Sequence, residues 1–298
     1  MNKSTIDRTI EIERRRAGTG SAHARAHCVG SAYRSGARAV ARPDVGILKS
    51  AVVGLAMLGV VLVLVGRAQG AVPLAGMTER EPLLIDGEKL TFDIYYGAIP
   101  AGRASLEVTS ETTESGEIFR ITSRARSNDM VSIFFEVDDR AVAEIDARTF
   151  EPRRFEKHIS EGSLKKSVSV HYDDGGLVRA GDETFRVEPG TRDILSALYY
   201  LRGQDLRVGE DVIVRTFENG KCCQARVRVL GREKVSTRRG DYQCLVVEPE
   251  IVEGIFSKAG RLVIYLTDDA LRLPVLLKSK VKIGSFVAEL VGGTHSGG

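Results

Sequence analysis

The stretch RLVIYLTDDALRLPVLLKSKVKIGSFVAEL, Arg261 to Leu290, shows the secondary-structure pattern of this chain most clearly. It contains three apolar runs that are separated by turn-forming residues such as Asp268 and Gly284. Short runs rich in β-branched and apolar residues, bounded by Asp, Pro and Gly, are typical of consecutive antiparallel strands. The stretch therefore predicts three strands, and it contains no residue set typical of a catalytic site.

Both faces of the first hairpin in this stretch are partly apolar. Because side chains alternate along a strand, we assign Val263, Tyr265, Val275 and Leu277 to one face and Leu262, Ile264, Leu266 and Leu276 to the other. A sheet with one solvated face does not need apolar residues on both faces. The second face is therefore expected either to be covered by a helix or to line a pocket.

Similar alternation begins at Glu88 and continues to the end of the chain. Asp174 to Gly176, Glu218 to Gly220 and Arg238 to Asp241 are turn signals between such runs. They predict roughly a dozen strands in the last two thirds of the chain.

One helix interrupts this pattern, in TRDILSALYYLRGQ. Asp193 suits its N-terminus and Gly203 its end. The apolar stripe at helical spacing consists of Ile194, Leu195, Leu198 and Leu201.

Many strands and few helices predict a mainly β fold. We expect a large curved antiparallel sheet or half-open barrel, with one or two helices packed in or near its concave face. A pocket is expected beside the helix, and its predicted border consists of Phe92, Ile94, Leu198, Leu201 and Tyr265.

The chain divides into segments of different composition. We interpret residues 1–49 as a basic leader, 50–70 as a signal peptide or signal anchor, 71–87 as a linker, 88–293 as one β-rich exported domain and 294–298 as a tail. Residues 50–66 are uncharged, and the small residues Ala68 and Gly70 suit a cleavage site before Ala71. We therefore expect the domain to be periplasmic, or anchored in the inner membrane through residues 50–66 and facing the periplasm.

Charge is unevenly distributed along the chain. The first 71 residues contain 11 of the 43 Lys and Arg residues but 4 of the 40 acids, which leaves the remainder with a net charge of −4. A basic face for nucleic acid is therefore not expected on the domain.

Three cysteines lie in the expected domain: Cys222, Cys223 and Cys244. In an oxidising compartment Cys244 could pair with Cys222 or Cys223, and Cys222–Cys244 is the candidate disulfide. No histidine lies near them in sequence, so no metal site is predicted.

Three stretches carry a resemblance to a known family: LTFDIYYGAIPAGRASLEV, GDYQCLVVEPEI and the opening stretch. With residues 87 to 293 the chain resembles exported bacterial proteins of unknown function, a domain-of-unknown-function family. It departs from that family at Tyr265, where tryptophan is common. The resemblance implies a fold similar to the periplasmic LolA and LolB lipoprotein carriers, which are half-open barrels with an apolar interior. It implies no catalytic residues.

No motif for an enzyme, a cofactor or a metal is present in the sequence. The expected function is a non-catalytic binding module for an apolar ligand such as a lipid, an acyl chain or a lipoprotein. The alternative is a structural or assembly protein of the cell envelope that docks a protein partner.

Overall fold

The computed structural model describes residues 80–251, 260–281 and 284–294. The predicted leader, the signal segment, most of the linker and all but the first residue of the tail lie outside these ranges. Fourteen strands and two helices are described: β1 (Lys89–Tyr96), β2 (Ile99–Thr113), β3 (Gly116–Ser127), α1 (Asp129–Ser132), β4 (Asp138–Asp146), β5 (Pro152–Glu161), β6 (Leu164–Asp173), β7 (Leu177–Ala180), β8 (Glu183–Arg186), α2 (Ile194–Gly203), β9 (Asp211–Glu218), β10 (Lys221–Thr237), β11 (Gly240–Ile251), β12 (Gly260–Thr267), β13 (Pro274–Val281) and β14 (Gly284–Thr294). The mainly β prediction is confirmed.

All fourteen strands belong to one antiparallel sheet, in which the order is β8-β7-β6-β5-β4-β3-β2-β1-β14-β13-β12-β11-β10-β9. The chain starts in the middle of the sheet, runs out to β8, crosses through α2 to β9 and returns to the middle. The side chains of Leu90, Phe92 and Ile94 on β1 are buried and alternate with half-buried neighbours. This alternation gives the sheet an inner, apolar face and an outer, more polar face.

The two edge strands of the sheet meet through side chains. The ring of Phe185 on β8 lies 5.1 Å from the ring of Phe217 on β9. A sheet whose two edges touch in this way must curve back on itself. In the described part of the chain β8 and β9 are not paired by backbone hydrogen bonds, so the sheet is curved but not closed.

Helix α2 lies on the inner side of this curved sheet and packs mainly against β3, β4 and β9. Its N-cap is Asp193, whose carboxylate accepts hydrogen bonds from the N–H groups of Leu195 and Ser196 at 2.8 and 3.0 Å. At Gly203 the carbonyl oxygen of Glu81 lies 2.1 Å from where a Cβ atom would be, so only glycine fits. The predicted helix and both of its ends are confirmed.

Every side chain of α2 from Ile194 to Arg202 is buried. The helix therefore fills much of the concave side instead of presenting one stripe to it. Among the described residues, no helix is both long and apolar enough to cross a membrane.

A long arm, residues 231–245, extends from the β10–β11 hairpin over the outer face of the sheet. At its tip Arg238 donates its backbone N–H to Glu289 at 2.7 Å and pairs with Asp93 at 3.2 Å. Asp93 is directly opposite Glu289, Glu289 is opposite Leu276, and Leu276 is opposite Tyr265, so these four residues form one row across neighbouring strands. The arm therefore spans the outer face over the first hairpin of the opening stretch, which explains why both faces of that hairpin are apolar.

The register of that hairpin differs from the predicted one. Tyr265 pairs with Leu276, and Ile264 pairs with Leu277. Leu277 therefore belongs to the inner face and Leu276 to the outer face. The reason is a bulge: the pairing shifts between Tyr265 and Leu266, and the extra residue is Val275.

Candidate functional site

The inner face of strands β1 to β8 is only partly covered by other parts of the protein. On β5 and β6 the directly opposite pairs Phe155–Val170, Lys157–Val168 and Ile159–Lys166 all belong to this face. Phe155 and Val170 are buried, Ile159 and Val168 are half-buried, and Lys166 is exposed. Burial thus decreases along β6, whereas on β5 Ile159 is less buried than Lys157 and Glu161 on either side of it.

We call these incompletely covered residues of the inner face, Ile159, Val168 and Lys166, the inner groove. Phe135 lies at its end, where its ring is 3.1 Å from the position of a Cβ atom on Gly162 in the β5–β6 turn. The groove combines apolar walls with one exposed cation. Such a surface suits an apolar chain that carries an acidic head group.

A buried ion pair borders the inner groove. Lys157 Nζ donates to Glu218 Oε1 at 3.2 Å, and both side chains are buried. Lys157 lies on β5 and Glu218 at the end of the edge strand β9, so the pair links two strands that are distant in the sheet order. Removing one partner would leave an uncompensated buried charge.

Two further carboxyl groups lie next to this pair, on Asp139 and Glu161. Asp139 is fully buried and accepts the Ser160 N–H at 2.7 Å. Burial raises the pKa of Asp139. Burial, and then the negative charge of Asp139, raise the pKa of Glu161 to about 8. At neutral pH Glu161 therefore holds a proton.

The two neighbouring carboxyl groups of Asp139 and Glu161 predict that the stability of the fold depends on pH. The pKa of Glu161 is about 8 in the folded protein and 4.5 ordinarily, so the folded form binds this proton more tightly than the unfolded form does. The free energy of unfolding should therefore fall as the pH rises from about 4.5 to about 8. Urea titrations across this range should show that Glu161→Gln removes most of the fall. Glu156→Gln, on the outer face of the same strand, should keep it. An equal fall in Glu161→Gln would contradict this interpretation.

The five residues that were predicted to border a pocket are all buried and belong to one apolar cluster: Phe92, Ile94, Leu198, Leu201 and Tyr265. They do not share one face of the sheet. Ile94 lies in the same row as Ile264 on the inner face. Tyr265 lies on the outer face, where Lys278 Nζ is 4.8 Å from its ring centroid.

The structure does not bring Cys222 and Cys244 together. Cys244 on β11 pairs with Glu233 on β10, eleven positions beyond Cys222. Eleven residues of extended strand span roughly 35 Å, whereas Cα atoms joined by a disulfide lie within about 7 Å of each other. The candidate disulfide is therefore not supported by this register. Burial raises the pKa of the Cys244 thiol to about 11, which makes it a poor nucleophile.

One exposed apolar surface was not predicted from the sequence. Asn128 caps the short helix α1, and three large apolar side chains on and after that helix are exposed: Met130 (53%), Ile133 (77%) and Phe134 (86%). The signal was visible as the run MVSIFF after an Asn-Asp pair. Apolar runs of this length suit a strand as well as a helix, so the run alone does not indicate that Phe134 is exposed.

No group of three or more His, Cys, Asp or Glu side chains that could hold a metal ion occurs among the described residues. The ionisable groups with raised pKa values around Glu161 are buried, and the exposed cation of the inner groove is Lys166. This arrangement can hold a proton, and it places one exposed cation beside half-buried apolar side chains.

A family model described as "Protein of unknown function (DUF3108)" matches residues 91–291. A β-barrel-like protein of the domain of unknown function DUF1849 from Brucella abortus has a similar structure, with a TM-score of 0.52 and 14% identity over 72% of this chain and 100% of that one. A Bacteroides fragilis protein described as exported and YmcC-like in fold gives a TM-score of 0.33 and 11% identity over 73% and 100%. No curated protein matches the sequence.

Proposed function

This chain belongs to the DUF3108 family of proteins of unknown function, and we propose that it is a non-catalytic binding module for an apolar ligand, such as a lipid, an acyl chain or the lipid part of a lipoprotein. The observation that carries this proposal is the inner groove. Ile159 and Val168 face the inside of a barrel-like sheet, yet they are left half-exposed, and Lys166 lies beside them. Apolar side chains on an inner face that stay in contact with water suit a ligand that covers them.

A non-catalytic role is proposed because the ionisable groups near the groove are engaged with one another. Lys157 is paired with Glu218, and Asp139 accepts the Ser160 N–H. An active site needs a nucleophile or base in reach of a substrate atom. The groove residues Ile159 and Val168 are apolar, Lys166 is a cation, and Lys157 opposite Val168 is held in its ion pair.

The proposed location is outside the cytoplasm, at the cell envelope, as the uncharged residues 50–66 indicate. The protein should therefore be recovered from the envelope fraction of cells, and native mass spectrometry of that material should detect a bound lipid. Recovery from the cytoplasmic fraction alone would contradict the proposed location.

A paired substitution tests the inner groove directly. Val168→Glu places a charge on the groove, while Ser169→Glu places the same charge on the outer face of the same strand. Both positions are in contact with water, so both variants should fold. Val168→Glu should lower the amount of co-purified lipid at least tenfold, because a charged carboxylate, even beside Lys166 and opposite Lys157, replaces an apolar contact and disfavours an apolar ligand by more than about 1.4 kcal/mol. Ser169→Glu should leave it unchanged. Equal lipid content in the two variants, or a wild type without lipid, would argue against the binding role.

A structural or assembly role in the envelope, with a protein partner, is the second candidate. It is supported by helix α2, whose side chains from Ile194 to Arg202 are all buried on the concave side. A protein that carries a large ligand would need the concave side of the sheet to be vacant, whereas here α2 occupies much of it. A wild type that never carries lipid would favour this second role.

A further inference from the structure

Four large apolar side chains are exposed at one end of the sheet. We call them the apolar rim: Ile99 (53%), Met130 (53%), Ile133 (77%) and Phe134 (86%). Ile99 belongs to the β1–β2 hairpin, and the other three lie between β3 and β4. Isolated exposed apolar residues are ordinary in proteins, but a group of them on adjoining loops marks an interaction surface.

Specific hydrogen bonds hold the two parts of the rim together. Asn128 donates its side-chain Nδ2 to the Pro100 carbonyl at 2.7 Å and its backbone N–H to the Ala101 carbonyl at 3.0 Å. Its Oδ1 accepts the Val131 N–H at 2.9 Å and so caps α1. The exposed apolar side chains are therefore presented on a fixed support, next to the β1–β2 hairpin.

A group of basic side chains, the basic face, lies behind the rim on the outer surface of the sheet. Arg124 on β3 is directly opposite Arg140 on β4, and both are exposed. Neither has an ion-pair partner within the part of the chain that the structure describes. Lys165 on β6 is exposed on the same surface. Like charges directly opposite each other disfavour a sheet, so this arrangement suits a ligand that brings negative charge.

The acidic residues near the rim do not cancel this charge. Asp138 is paired with Arg126 at 2.9 Å. Asp129 and Glu136 are exposed on the loop itself, on the side of the apolar residues and away from Arg124 and Arg140 along the strands. The outer surface behind the rim therefore stays positive.

We propose that the apolar rim and the basic face together dock this protein on the surface of a membrane that contains anionic phospholipids. Arg124 lies three residues before the end of β3, which places it about 10 Å behind the rim. Interfacial protein segments enter the boundary between head groups and acyl chains by about 5–10 Å. With the rim at that depth, the basic face lies at the level of the lipid phosphates. This docking is separate from ligand binding in the inner groove and goes beyond it.

The chain contains no tryptophan, so a single introduced tryptophan reports on one place. The experiment uses the full-length chain carrying Phe134→Trp, with vesicles of phosphatidylethanolamine and phosphatidylglycerol or of phosphatidylcholine alone. Residues 50–66 are present in every variant, so differences between variants report on the rim. The control is Val208→Trp, which is also exposed but precedes β9 at the opposite end of the strands.

The tryptophan emission of Phe134→Trp should shift to shorter wavelength on the anionic vesicles and much less on the neutral ones, and raising the salt concentration should reverse the shift. Val208→Trp should not shift on either. Adding Arg124→Gln and Arg140→Gln should lower the docking equilibrium constant, read from the fraction of shifted emission, by roughly fivefold per charge and roughly 25-fold together.

Three results would overturn the proposal. They are an unshifted Phe134→Trp on anionic vesicles, an equal shift on neutral vesicles, and an equal shift of Val208→Trp. If Phe134→Trp does not shift on anionic vesicles, the apolar rim would instead be a binding surface for a protein partner. A loss of lipid from the inner groove would not affect the docking result, so the two proposals can fail separately.

Discussion

Glu88→Gln is expected to destabilise the fold by about 3–5 kcal/mol, since it leaves the guanidinium of Arg202 buried without its counter-charge. The two side chains are completely buried, and the guanidinium donates to both carboxylate oxygens at 2.7 and 2.6 Å. Arg202 also donates to the Leu271 carbonyl at 3.0 Å and lies 4.8 Å from the ring centroid of Tyr199. The pair thus ties the last turn of α2 to the residue that precedes β1.

Urea denaturation would measure this effect, and Asp241→Asn provides a matched control. Asp241 also pairs with a cation, Lys234, at 2.7 Å, but both side chains are exposed. Surface pairs of this kind contribute less than about 1 kcal/mol. In the double variant Glu88→Leu with Arg202→Met the charge is removed from both sides, and much of the lost stability should return. If Glu88→Gln lowers the free energy of unfolding no more than Asp241→Asn does, the buried Glu88–Arg202 pair does not have this stabilising role.

Leu198→Glu is expected to have the other large effect. Leu198 lies in the middle of α2, where all neighbouring helix residues are buried. An unpaired carboxylate in a dry, packed site costs several kcal/mol, and here we expect at least about 4 kcal/mol. Leu198→Met keeps the volume and should cost less than about 1.5 kcal/mol.

Circular dichroism and urea titration would show whether Leu198→Glu still folds. A well-folded Leu198→Glu would mean that water or a ligand occupies the space around the helix. The ligand site would then be the predicted pocket beside α2, and the inner groove at Val168 would lose its place as the candidate site.

Local signals in the sequence predicted the local features of this fold. The Asp193 cap and the turn at Asn219 and Gly220 depend on residues that are close in sequence. In the turn, both φ values are positive, at 49° and 74°. Such conformations favour asparagine and glycine and so leave a signal that can be read without the fold.

The features that sequence reasoning could not supply depend on distant residues. Glu88 and Arg202 are 114 positions apart, and Lys157 and Glu218 are 61 apart. No pattern in the chain pairs them until the strand order is known. The predicted faces of Leu276 and Leu277 are the reverse of the observed ones, because a single bulged residue changes which side chains lie opposite each other on neighbouring strands. The exposed tip at Phe134 was missed because hydrophobicity alone indicates burial.

The strand order has a consequence for how this chain reaches its native state. Within each half, every strand pairs with its immediate predecessor, so each contact closes a short loop. The two halves are joined by the pairing of β1 with β14, in which Tyr96 lies opposite Phe286, 190 positions later. Contacts so distant in sequence slow folding, since the loop entropy is lost before the contact forms. During synthesis from the N-terminus, β1 must therefore wait with one edge unpaired until β14 has been made, which makes that edge the natural point for a chaperone to protect.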